Sequence, residues 1–129
     1  MDAKDFVFVV ETGKSFDNAT VAVLRSVEQK GWTVFQVYDI KERLAAKGFE
    51  QTPLKIIEIC SAKYANRFLN KNRLVSICLP CKINVLEENG KVKIVGVRPT
   101  MVSALFPEIS MEDALEAEKE IKEILENAK

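Results

Sequence analysis

Cys81-Lys-Ile-Asn-Val-Leu-Glu-Glu-Asn-Gly-Lys-Val-Lys-Ile-Val-Gly-Val-Arg98 is the stretch whose reading decides the fold. Asn89-Gly90 at its centre favours a type I′ turn, which needs positive φ at both central residues. The flanking runs are rich in β-branched residues, so the segment reads as a two-residue hairpin, Cys81–Glu88 against Lys91–Arg98. Such a turn fixes the pairing: Glu88 opposite Lys91, Val85 opposite Ile94, Ile83 opposite Gly96 and Cys81 opposite Arg98. The apolar members mark this as the inward face. Cys81 and Arg98 then share one end of the core side, where a guanidinium can depress a thiol's pKa. Gly96 leaves a notch beside Ile83 that a ligand or a neighbouring side chain can enter.

Working outward, Phe6–Val10 reads as a first strand. Ser15 caps a helix whose Phe16, Ala19, Val23 and Val27 recur at helical spacing until Gly31. Trp32–Ile40 is a second strand, Lys41–Lys47 a short helix, Pro53–Cys60 a third strand, and Ser61–Asn70 a brief helix carrying Tyr64 and Phe68. Ser110 begins a final amphipathic helix with Ala114, Ala117, Ile121, Ile124, Leu125 and Ala128 on one side. With a short strand ahead of the hairpin, the order is β-α-β-β-β-β-β-α. Only the first two strands flank a helix long enough for a parallel crossover. The expectation is therefore an α+β domain with a mostly antiparallel sheet and two long helices, Ser15–Lys30 and Ser110–Lys129, on one face.

The 129 residues suit a single domain, 1–129, with an ordered core about 5–128. An apolar content of 47% supports a core without staples, and 19 basic residues balance 19 acidic ones. That neutrality gives no global attraction to nucleic acid or an acidic membrane. No histidine is present, which removes Ser-His-Asp and Cys-His catalysis and imidazole metal ligation. No window approaches the roughly 20 apolar residues of a membrane span, and the start lacks an export signal. Three cysteines then read as reduced thiols in a cytoplasmic protein.

Two motifs imitate familiar sites. Thr12-Gly-Lys-Ser15 between a strand and a helix resembles a Walker A loop, but the position of its first glycine is Phe8, inside the strand. Cys78-Leu-Pro-Cys81 resembles a thioredoxin site, but a strand follows where a helix N-terminus would lower the thiol's pKa. Three cysteines without histidine also fall short of a four-ligand zinc site, so no metal or cofactor is expected. Buried, inert cysteines are the plain expectation. The sharper one is a small pocket lined by Cys81 and Arg98 with Cys60, and Cys78 or Cys60 as a resolving partner.

Charge is unevenly distributed. Residues 59–107 carry eight cations, Lys63, Arg67, Lys71, Arg73, Lys82, Lys91, Lys93 and Arg98, against Glu87 and Glu88, while residues 108–129 carry eight acids against three lysines. Such blocks either complement each other within or between subunits or form an anion site. The anion reading places a small anionic ligand on Arg67, Lys71 and Arg73, interleaved with Asn66, Asn70 and Asn72.

The strand, then Gly13-Lys14-Ser15-Phe16-Asp17 and a helix, with Leu79-Pro80-Cys81 later opening a hairpin, resembles domain-of-unknown-function family 302. The similarity runs from about Phe6 to the final helix. The resemblance implies a sheet-plus-two-helices fold similar to the TATA-binding-protein class, a homodimer, and no established activity. Cys81 matches the family's Leu-Pro-Cys cysteine. Cys78 lies outside that pattern, and Ser61 stands where many relatives carry a histidine, so no metal role is carried over. The reading at this point is a cytoplasmic, homodimeric, small-ligand-binding or interaction module without intrinsic catalysis. Trp32, Val34 and Leu86 are its candidate apolar contacts with a second copy, and no nucleic acid or membrane is expected as a partner. The alternative is a thiol-dependent redox or sulfur-handling protein using Cys81 near Arg98.

Overall fold

Five strands form one antiparallel sheet in the order β1-β5-β4-β3-β2 in the computed structural model, which describes residues 2–129. The elements are α1 (Ala3–Phe6), β1 (Val7–Thr12), α2 (Phe16–Gln29), β2 (Thr33–Asp39), α3 (Ile40–Ala45), β3 (Leu54–Cys60), α4 (Ala62–Lys71), a 3-10 turn (Arg73–Cys78), β4 (Cys81–Glu88), β5 (Lys91–Val97), α5 (Thr100–Leu105) and α6 (Met111–Ala128). The hairpin turns as its sequence dictates: Asn89 and Gly90 take φ of 54° and 74°, and the ladder runs from Glu88 opposite Lys91 to Ile83 opposite Gly96. It stops before the Lys82–Val97 and Cys81–Arg98 positions. The Arg98 N–H donates instead to the Phe6 carbonyl at 2.8 Å, tying β5 to the start of β1.

The fold class is the expected α+β, with helices on one side of an antiparallel sheet. Among the strands, one expected element is replaced. No sixth strand precedes the hairpin among the described residues; Arg73–Cys78 coils into a 3-10 turn capped by the Asn72 side chain, which accepts from the Leu74 N–H at 3.0 Å. A cis Leu79–Pro80 bond then leads into β4.

Both long helices are capped by serine: Ser15 accepts from the Asn18 N–H and Ser110 from the Asp113 N–H, each at 3.1 Å. They cover the sheet face that carries Ile57, Ile59, Ile83, Val85 and Ile94, all fully buried. Between the helices, the buried Ser26 hydroxyl donates to the Ile124 carbonyl at 2.7 Å. Gly96 lets α6 settle onto the sheet, because a Cβ there would lie 2.9 Å from Leu125 Cδ1 and 3.1 Å from Ile121 Cγ2. Trp32, expected on an interaction surface, is a core residue instead; its indole N–H donates to Glu120 Oε1 at 3.0 Å. Val34 and Leu86 are half-buried.

The opposite face has no long helix over it. Its central row, read across the register, is Val9, Val95, Asn84, Ile56 and Tyr38. No helix among the described residues is long and apolar enough to cross a membrane.

Candidate functional site

A cleft of about 310 Å3 opens where β4 begins and β5 ends. Val7, Val95, Val97, Lys82 and Asn84 supply its floor from the uncovered side of the sheet. Met101, Val102 and Leu105 of α5 form one wall, and Ile77, Cys78 and Pro80 form the other. Its size sits at the lower end of the roughly 300–1,000 Å3 of small-molecule sites, and its lining is mostly apolar with few polar groups, as such sites require.

Two polar atoms stand out. Asn84 Oδ1 and Arg98 Nε are buried and have no hydrogen-bond partner among the described residues, and both side chains line this cleft. A buried polar atom left unpaired costs about 1–3 kcal/mol, so two at one cleft are an exception to ordinary packing.

Both Nη atoms of Arg98 have partners. Its Nη1 donates to the Lys4 carbonyl at 2.6 Å, its Nη2 meets Glu118 Oε2 at 3.2 Å, and the guanidinium lies 4.8 Å from the Phe8 ring centre. Glu118 is buried on α6, and its other oxygen accepts from the Thr100 N–H at 3.1 Å and the Thr100 hydroxyl at 2.7 Å. This network locks α6 to the junction of β5 and α5 and so fixes one wall of the cleft.

Cys81 and Arg98 do line one cavity, with Cys78, as their place in the hairpin implied. Cys60 lines a separate small crevice on the core side, which Cys81 also reaches. The surroundings of the thiol act against the expected activation. Burial pushes the Cys81 thiol up to about 12, the neighbouring Cys60 adds to the rise, and Lys82 offsets little of it. Burial also raises Cys60. Arg98, paired with Glu118 at 3.2 Å, is not among the groups that shift it. The notch beside Gly96 is filled by Leu125 and Ile121, a neighbouring side-chain contact rather than room for a ligand.

The cationic segment resolves the same way. Arg67 Nη1 pairs with Asp113 at 3.1 Å and Glu116 at 2.9 Å on α6, its guanidinium 5.6 Å from the Tyr64 ring centre. Lys63 lies 3.9 Å from Glu120, and Lys30 pairs with Glu123. Burial works to raise the Glu120 carboxyl, but hydrogen bonds from Tyr64 and Trp32, with Lys63 nearby, bring it below its ordinary value. The Tyr64 phenol rises through burial and that same bond. The acidic helix therefore answers the basic segment within one chain. Lys71 and Arg73 are exposed and, among the described residues, have no ion-pair partner; neither they nor Arg67 lines the cleft. Among the described residues no group of three or more His, Cys, Asp or Glu side chains is placed to hold a metal ion.

Sequence reasoning missed Asn84, Glu118 and all of α5. Glu118 had a readable signal: it falls on the buried stripe of α6, between Ala114 and Ile121, where a carboxylate needs partners. Asn84 had none, since a polar residue at an outward strand position is ordinary.

Comparison with curated proteins finds no match. Among solved structures, the crystal structure of an uncharacterised conserved DUF302 protein from Bacillus stearothermophilus superposes with a TM-score of 0.90. It is 32% identical, and the match covers 96% of this chain and 98% of that one. The model of the domain of unknown function DUF302 matches residues 8–128, nearly the whole fold that carries the cleft, and the chain belongs to that family.

Proposed function

We propose that this chain is a small-ligand-binding module without catalytic apparatus of its own, working as a homodimer, with the cleft at Asn84 and Arg98 as its binding site. One observation carries the reading: two buried, unpaired polar atoms belong to side chains lining the same mostly apolar cavity. A ligand that satisfies both atoms recovers their desolvation cost on binding, which is how a few placed polar groups give a hydrophobic pocket its specificity.

Support for a second copy comes from the uncovered sheet face. Val9 on edge strand β1 is 55% exposed on this face, with half-buried Ile56 and Val95 beyond it, and Phe35 at the bulge of edge strand β2 is equally exposed. Val9→Lys is expected to shift sedimentation from dimer to monomer. The thiol alternative gains no support, because the raised Cys81 thiol and the pairing of Arg98 with Glu118 both oppose a thiolate.

The test is a fragment panel followed by amide chemical shifts. Binding confined to Val95, Val97, Met101 and Val102, and lost in a cleft-filling Val95→Trp variant that keeps its melting temperature, supports the reading. Shifts clustered on Arg67, Lys71 and Arg73, or binding that survives Val95→Trp, overturn it.

A further inference from the structure

We infer that the cleft selects a neutral ligand with an amide-type edge, a hydrogen-bond donor beside an acceptor as in a primary amide, lactam or imide, on an apolar body. The inference rests on the reading of this cleft as a binding site and concerns which chemistry it takes.

Asn84 lies on β4, the central strand, between Val95 on β5 and Ile56 on β3. An asparagine amide carries a donor and an acceptor side by side, so an edge with the reverse order meets it with two hydrogen bonds, as in the reading of an adenine edge by asparagine. The donor of such an edge pairs the Asn84 oxygen that is otherwise unpaired among the described residues. A hydroxyl alone cannot present such an edge, and a carboxylate has no donor for Asn84 Oδ1.

Charge favours the same conclusion. Arg98 is the half-buried cation of the cleft, and Glu118 already pairs with it at 3.2 Å. Lys82, which also lines the cleft, is exposed, donates to the Pro80 carbonyl at 3.4 Å and acts through solvent. An anionic head would therefore lose its hydration without gaining a buried counter-charge, a loss of several kcal/mol that an amide does not suffer. The apolar body would lie along Val7, Val97, Met101 and Val102.

Hexanamide, hexanoate and hexanol share one apolar chain and differ only in the head, and their dissociation constants can be compared by ligand-observed NMR near pH 7, where hexanoate is ionised. Hexanamide is expected to bind about tenfold more tightly than either of the others, a difference of about 1.4 kcal/mol. In Asn84→Leu that preference should disappear while binding of hexanol persists. Asn84→Asp, nearly the same shape but without the amide donor, should weaken hexanamide by a similar factor. Hexanoate binding as tightly as hexanamide, or a preference that survives both substitutions in folded variants, would overturn the amide-edge inference and leave the cleft as a binding site. Absence of all three ligands from the cleft would overturn the binding-site reading itself.

Discussion

On the covered side of the β4–β5 hairpin, Ile83, Val85 and Ile94 are fully buried, and α6 comes down until Leu125 rests against Gly96. One residue away on the other side, Asn84 holds a buried oxygen that nothing pairs. The two faces share the same strands and turn. They differ in what they complete: among the described residues the covered face packs its apolar side chains and pairs its buried carboxylate, Glu118, with protein groups, whereas the open face leaves the Asn84 oxygen unused. Buried polar groups in stable folds are nearly always paired. The contrast therefore sets the half of the sheet that holds the fold together against the half proposed here for binding.

Cys81 gives the largest effect by which to break this comparison, because its thiol belongs to the closed side. A thiol pushed up from its ordinary value of 9.0 to about 12 has about a thousandfold less thiolate at neutral pH than an unperturbed one. Alkylation of Cys81 in the folded protein should be slower than that of free cysteine by at least a hundredfold and should recover in denaturant. A Cys81 as fast as free cysteine would place it on the open side. The linkage has a definite sign. The folded state holds this proton more tightly, so stability from Cys81 is fully present below pH 9 and is lost as pH rises towards 12.

Glu118→Ala comes next. It strands a partly buried guanidinium and the Thr100 donors, and should cost about 3 kcal/mol in chemical denaturation, with Glu118→Gln costing less. A change below about 0.5 kcal/mol, the level of an ordinary surface site, would mean that α6 and α5 are not joined through this carboxylate. Gly96→Val is expected to cost about 2 kcal/mol, since the new side chain must displace Leu125 and Ile121 in a packed core. A neutral result would show that the covered face is looser than the closed packing described above.

How much of this was legible follows from the same contrast. The hairpin register, both serine caps and the stripe of α2 were readable because local chemistry sets them: positive φ at Asn89-Gly90, a hydroxyl before a helical run, apolar spacing of three and four. The pairing of the basic segment with α6 was visible as a charge imbalance, although the partners of Arg67 were not. The cleft was half legible. The register brought Cys81 and Arg98 to one end of the sheet, but it could not show that Glu118, twenty residues beyond Arg98, would claim the guanidinium. Pro99-Thr-Met-Val-Ser-Ala-Leu105 carries a helix start and apolar residues at positions 101, 102 and 105, yet six residues are too few for periodicity to declare a helix. The wall it forms was invisible for that reason. Asn84 became informative only when the tertiary structure buried its oxygen.

The smallest effect tests the central claim most directly, because its sign is opposite to the others. Asn84→Leu removes the unpaired oxygen and extends the apolar row of Val9, Val95 and Ile56, so the protein should gain about 1 kcal/mol in urea denaturation while the cleft loses its head-group preference. A loss of stability of that size would instead show that Asn84 is a satisfied structural residue, and the open face would lose its standing as the binding half of the molecule.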